Sequence, residues 1–176
     1  MSNGNMPVVR VERIDVVEAL PGPGVRWEPR VRKETLDLLE ELKELDSDGK
    51  TRIRDEATAI LGSCVPPTGA TATETGLVVG HVQSGKTISF TTVTALARDN
   101  SFPLVILITG TSVPLSEQSR QRVTSDLRLT TRSDRRWRHF HNPDRQQALH
   151  TLEGTLADWR DPEVPEAERQ TVLITV

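Results

Sequence analysis

Gly80-His81-Val82-Gln83-Ser84-Gly85-Lys86-Thr87 satisfies G-x-x-x-x-G-K-[ST] at every fixed position. That spacing suits one kind of chemistry, the holding of a polyphosphate. Gly80 and Gly85 let the backbone turn tightly, so that the N–H groups of a cradle running through Gln83 and Ser84 converge on phosphate oxygens. The helix that follows adds the positive end of its dipole to the same anion. Lys86 is the cation for the β- and γ-phosphates, and the Thr87 hydroxyl is the metal ligand, for Mg²⁺. The rival reading is a plain glycine turn with an exposed lysine.

The motif requires a strand before it and a helix after it. Thr75-Gly76-Leu77-Val78-Val79 is a short apolar run read as that strand, and residues 88–98, with Ala95, Leu96 and Ala97, are read as that helix. Residues 104–109 form a continuous β-branched run, expected as a parallel strand buried on both faces, which completes a βαβ unit. A helix follows over 114–123, with Ser112 or Thr111 as its N-cap. Asn142 and Pro143 are read as the N-cap and first-turn proline of another helix, with Leu149, Leu152, Leu156 and Trp159 inward. Residues 171–176 read as a third strand, left as an exposed apolar edge of an unfinished sheet.

Upstream, Leu36, Leu39, Leu42 and Leu45 recur every third residue among Glu and Lys, the stripe of a helix stopping near Asp46-Ser47-Asp48-Gly49. A second helix has Ile53, Ala57, Ile60 and Leu61 on one face. Residues 66–73, rich in Pro, Gly and Thr, read as a linker. The expected organisation is a helical N-terminal segment over 1–70 and an α/β unit over 71–176, a parallel sheet with flanking helices.

The chain has 176 residues, 22 basic and 25 acidic, for a net charge of −3, so its overall charge makes no case for nucleic acid or an anionic membrane. Cys64 is the only cysteine, which excludes an internal disulfide and fits a reducing compartment. No signal-peptide pattern opens the chain, and the apolar run 104–108 is too short to span a bilayer. A cytoplasmic protein without a membrane partner is expected.

The run from Gly76 to Thr87, G-L-V-V-G-H-V-Q-S-G-K-T, resembles the phosphate loop of Z1-domain proteins, bacterial ATPases related to superfamily 2 helicases. Residues 104–109 and Leu115-Ser116-Glu117-Gln118-Ser119-Arg120-Gln121-Arg122 are similar to that family's second motif. Ser112-Val113-Pro114-Leu115-Ser116-Glu117-Gln118 resembles the T-x-x-L-x-x-Q pattern by which helicases contact a nucleic-acid backbone, with serine in place of threonine. The similarity covers roughly residues 50–128 and implies an incomplete RecA-like P-loop ATPase core, binding ATP and Mg²⁺. It also implies DNA as a partner, with Ser112 and Gln118 as contacts, and a place in restriction or defence systems.

An ATPase of this kind needs an acidic pair at the end of a buried strand. Neither 104–109 nor 171–176 ends in one, so the catalytic acids are unassigned. In the family they lie further on, with a second RecA-like lobe, and the chain reads as an N-terminal fragment that holds nucleotide without turning it over. The rival from another class is a non-hydrolysing nucleotide-binding or interaction module. No adenine-reading glutamine precedes Gln83, and no N-K-x-D motif supports guanine.

Arg128, Arg132, Arg135, Arg136 and Arg138, interleaved with Trp137 and near Phe140, combine phosphate contact with base stacking. Arg135 and Arg136 are the candidate contacts, expected on the sheet's carboxyl edge with Ser112 and Gln118. A solvated loop is the rival. His139, His141 and His150 lack the spacing of a zinc module and are read as solvent-facing in that loop.

Overall fold

The computed structural model describes residues 26–69, 72–78, 86–109 and 113–176. Its elements are α1 (Lys33–Glu41), α2 (Ser47–Gly62), α3 (Lys86–Asp99), β1 (Leu104–Leu107), α4 (Val113–Asp126), β2 (Trp137–His141), α5 (Arg145–Arg160) and β3 (Thr171–Thr175). The fold is α/β. The three strands pair in parallel in the order β1-β3-β2, with Leu104 opposite Val172 and Trp137 opposite Thr171. The connections β1 to β2 and β2 to β3 cross the sheet in opposite directions, so right-handed crossovers put α4 and α5 on opposite faces.

Every residue of β3 is buried, as its apolar, β-branched sequence predicts. Its position corrects the expectation of an exposed edge. β2 pairs along its open side, so β3 is central. β2 itself was not expected. In Trp137-Arg138-His139-Phe140-His141 the two strand-favouring aromatics are separated by arginine and histidine with no apolar run or strict alternation, and the segment is extended because β3 offers it a full parallel ladder. His139 and His141 therefore stand on a strand, and His150 on a helix, not in a loop. β1 is also corrected. Val105 and Leu107 pack on the core, but Ile106 is 51% exposed, because β3 is its only partner among the described residues. The expected strand over residues 75–79 is absent from its described part. Residues 75–78 pair with no strand among the described residues, and Leu77 and Val78 are 89% and 62% exposed. An apolar run without a ladder partner gains nothing from being extended. Val79 lies outside the described residues.

α3 is the centre of the packing. Ala95 joins Leu38, Val123, Leu127, Trp137 and Leu173 on the sheet side, while Leu96 and Ala97 join Ala57 and Leu61 of α2. Thr91, Thr92 and Thr94 are also buried in α3, and each hydroxyl donates to the carbonyl four residues earlier at 2.7–2.8 Å. These bonds remove the cost of burying the three hydroxyls.

The leucine stripe expected for α1 is wrong in face and length. A spacing of three drifts by about 60° per step around a 3.6-residue helix, and the buried face is Glu34, Thr35, Leu38 and Leu39, with Leu36 outside. The helix ends at Glu41, and the residues read as its stop open α2 instead. Asp46 is the N-cap there, its carboxylate accepting the Gly49 N–H at 2.7 Å. In α2, Ile53, Ala57 and Leu61 face inward as expected, and Ile60 is only half-buried. α5 starts later than Asn142-Pro143 suggests. Asn142 takes a left-handed φ of 41°, and the Asp144 carboxylate accepts the Gln146 N–H at 2.9 Å in the capping position. Leu149 is 53% exposed, contrary to its expected inward place. Among the described residues no helix is long and apolar enough to cross a membrane.

Candidate functional site

α3 leads into β1 through Asn100 to Pro103, and Pro103 and Phe102 carbonyls accept bonds from Val172 and Thr171 at the start of β3. The C-terminus of α3 therefore sits at the amino edge of the sheet. A helix of 14 residues spans about 21 Å, so its first residues, Lys86 and Thr87, lie toward the carboxyl edge. Thr87 is half-buried, its carbonyl accepts the Thr91 hydroxyl at 2.8 Å, and its own hydroxyl makes no bond to another described residue. Gly80, Gln83, Ser84, Gly85 and Ser112 lie outside the described residues. Gln118 is exposed in the second turn of α4, which follows β1 and so begins at the carboxyl edge.

The arginine cluster is elsewhere. Residues 128–136 precede β2, which runs parallel to β1 and β3, so they lie at the amino edge. The structure does not bring Arg135 and Arg136 together with Gln118. The expectation of one shared edge failed because β2 was not recognised as a strand. Arg135 is exposed. Arg136 is committed to a buried acid that sequence reasoning missed, Glu34 of α1. Arg132 donates to both Glu34 oxygens at 2.8 and 2.9 Å, Arg136 to Oε1 at 3.0 Å, and Trp137 Nε1 to Oε2 at 2.9 Å. Asp134 clamps Arg132 from the other side at 2.6 and 3.0 Å. Burial alone would raise the Glu34 pKa, but the bonds from Arg132 and Trp137 outweigh it and hold the carboxyl below its ordinary range. Trp137, 9% exposed and bonded to Glu34, is not a base-stacking surface.

The same edge ties α1 to α3 by a second acid. Asp99, at the last position of α3, accepts the N–H groups of Arg32, Glu34 and Thr35 at 2.9–3.0 Å, capping α1 across the fold. A cleft of about 270 Å³ between α1 and the α4–β2 connection is lined by Lys33, Glu34, Asp37, Arg128, Arg132 and Asp134. Its cations already hold carboxylates, and it lies at the amino edge, away from Lys86. Among the described residues no group of three or more His, Cys, Asp and Glu side chains could hold a metal ion.

Compared with family models, curated proteins and solved structures, the chain matches none.

Proposed function

We propose that this chain binds ATP with Mg²⁺ through residues 80–87, as the nucleotide-binding part of a helicase-like, DNA-directed ATPase of the Z1 type with a RecA-like P-loop core. The observation that carries the reading is the start of α3 at Lys86. The last two residues of the G-x-x-x-x-G-K-T motif are the first two of a helix whose N-terminus faces the carboxyl edge of a parallel sheet, where ligands of open α/β folds collect. Gly80, Gln83, Ser84 and Gly85 supply the cradle in this reading, and Lys86 neutralises the triphosphate. The Thr87 hydroxyl fits a Mg²⁺ ligand, since among the described residues no group competes for it. The metal would supply charge neutralisation on the β- and γ-phosphates.

The test is ATP titration with and without Mg²⁺ in wild type and Thr87→Ala. The wild type should bind more tightly with the metal, and the variant should lose that gain while binding free ATP unchanged. Wild-type protein that binds no ATP would overturn the proposal.

A further inference from the structure

A second cleft at the amino edge, of about 320 Å³, opens between the start of α1, the end of α3 and the connection from α5 to β3. Three of the charged residues lining it are almost wholly buried, Glu34 at 3% exposure, Arg98 at 5% and Asp99 at 6%. The two acids have their donors. Glu34 accepts from Arg132, Arg136 and Trp137, and Asp99 from the N–H groups of Arg32, Glu34 and Thr35. Arg98 has no acid of its own. Its Nη2 donates to the Arg169 carbonyl at 2.7 Å and to that of Glu166 at 3.5 Å, and its guanidinium lies 5.4 Å from the centre of the Trp159 ring. Its Nε is buried without an acceptor, and its Nη1 makes neither a hydrogen bond nor an ion pair with another described residue.

A guanidinium taken out of water needs a counter-charge at close range. The charges around Arg98 act on it from farther off. Glu34, Glu166 and Asp99 favour its charged form and Arg136 opposes it, but burial outweighs them all and lowers its pKa. The other cations of the cleft are partly used. Arg136 Nη1 holds Glu34 at 3.0 Å and its Nε faces Asp134 at 3.7 Å, Lys33 holds Asp37 at 2.6 Å, and Arg32 Nη1 holds Glu166 at 2.8 Å. The Nη2 groups of Arg136 and Arg32 engage no other described residue.

We propose that this cleft binds a small monocarboxylate, whose anionic group supplies the counter-charge that buried Arg98 lacks, with Arg136 and Arg32 on the same cleft as further donors. Charge-assisted bonds from guanidinium groups to a carboxylate are short and strong. One unmatched cation calls for one negative charge. A phosphate group carries about 1.5 to 2 charges at neutral pH, and the Glu34 and Asp99 carboxylates in the same cleft repel the excess. A volume of about 320 Å³ is at the small end of the roughly 300–1,000 Å³ of ligand pockets, which suits a small molecule. Glu166 is the built-in competitor. Its carboxylate, with the side chain 52% exposed, already occupies Arg32 and also accepts the Ser101 hydroxyl at 3.3 Å. The site is independent of residues 80–87, since Arg98 lies about 18 Å from Lys86 along α3.

The test is NMR of the full chain, reading the backbone amide of Ala167, which lines the cleft, and the Nε–H of Arg98, assigned by its loss in Arg98→Gln. Sodium propionate and inorganic phosphate are titrated separately at pH 7 against sodium chloride of equal ionic strength. Both signals should shift and saturate with propionate, at lower concentration than with phosphate. Arg98→Gln, read at Ala167, should bind propionate at least about tenfold more weakly, as for a lost bond to a charged group. Glu166→Gln removes the competing carboxylate and keeps the carbonyl that Arg98 uses, so it should bind about two- to fivefold more tightly, the size of an exposed charge interaction. Lys86→Ala should bind propionate as wild type does, even if nucleotide binding is lost. No saturable shift with propionate in wild type, or tighter binding of phosphate, would overturn the site without any variant. So would wild-type affinity in a folded Arg98→Gln, or in Glu166→Gln, whose exposed side chain is not needed for folding.

Discussion

Both arms of the Arg132 guanidinium rest on the Glu34 carboxylate, at 2.8 and 2.9 Å, across 98 residues of sequence. Glu34 and Arg132 side chains are 3% and 11% exposed, so the pair is nearly dry. Removing one partner of a buried pair costs about 3–5 kcal/mol when the other charge is left without compensation, and Asp134, which still holds Arg132 at 2.6 Å, puts Glu34→Ala toward the lower end. Glu34→Ala would also strip an acceptor from Arg136 and Trp137. Urea denaturation should show a loss of that size, a large share of the roughly 5–15 kcal/mol that holds a domain together. A loss below about 1 kcal/mol would mean that the pair behaves like a surface one.

The same carboxyl gives a pH dependence of defined sign. Its folded pKa is depressed, so its contribution is complete above the unfolded value of about 4.3 and is lost as pH falls through the lower folded value. The stability difference between wild type and Glu34→Gln should therefore be largest near neutrality and shrink toward pH 3. A difference that grows with acid contradicts the assignment.

Arg135 and Arg136 are neighbours with different work. Arg135→Glu changes an exposed side chain and should cost no more than about 0.5 kcal/mol. Arg136→Glu puts a carboxylate beside Glu34 and Asp134, which Arg136 now faces at 3.0 and 3.7 Å, and should lower the melting temperature clearly. Thermal unfolding of the two variants separates them. Equal melting temperatures would show that Arg136 is as free as its neighbour, and DNA-binding tests of this edge belong on Arg135→Glu alone.

Asp99 is the device that docks α1. Asp99→Ala leaves the N–H groups of Arg32, Glu34 and Thr35 without their acceptor, at a cost of about 1–2 kcal/mol for a lost cap. Hydrogen exchange over residues 33–41 should quicken more than over β3. Unchanged protection of α1 would place its anchorage in Leu38 and Glu34 only.

The residues that could be read in isolation were those whose local signal and tertiary role agree. The β-branched run of β3, the alanine-rich end of α3 and the inward face of α2 are of this kind, and the parallel α/β class follows from them. β2 was illegible because Trp137-Arg138-His139-Phe140-His141 sits in an arginine-rich stretch and lacks an apolar run or strict alternation, and pairing with β3 decides its conformation. That omission moved Arg135 and Arg136 to the wrong end of the sheet. Glu34 was hidden for a different reason, since it looks like one more charge on an amphipathic helix and its partner Arg136 lies 102 residues away. The leucines of α1 misled because a repeat of three does not follow a helical face. Of the candidate site, Lys86 at the head of α3 was legible from glycine spacing alone. The cleft around Arg98 was not, because α1, α3 and the segments before β2 and β3 meet there only in the fold.

The central claim is that residues 80–87 hold a nucleoside triphosphate, and Lys86 is its most exacting test. Lys86→Ala removes the cation assigned to the β- and γ-phosphates and keeps a residue that favours the helix, so α3 should persist by circular dichroism. In equilibrium titrations with a fluorescent ATP analogue and Mg²⁺, wild type should saturate and Lys86→Ala should bind at least about tenfold more weakly, the equivalent of roughly 1.4 kcal/mol. Equal affinity in the two proteins, with both folded, would contradict the account.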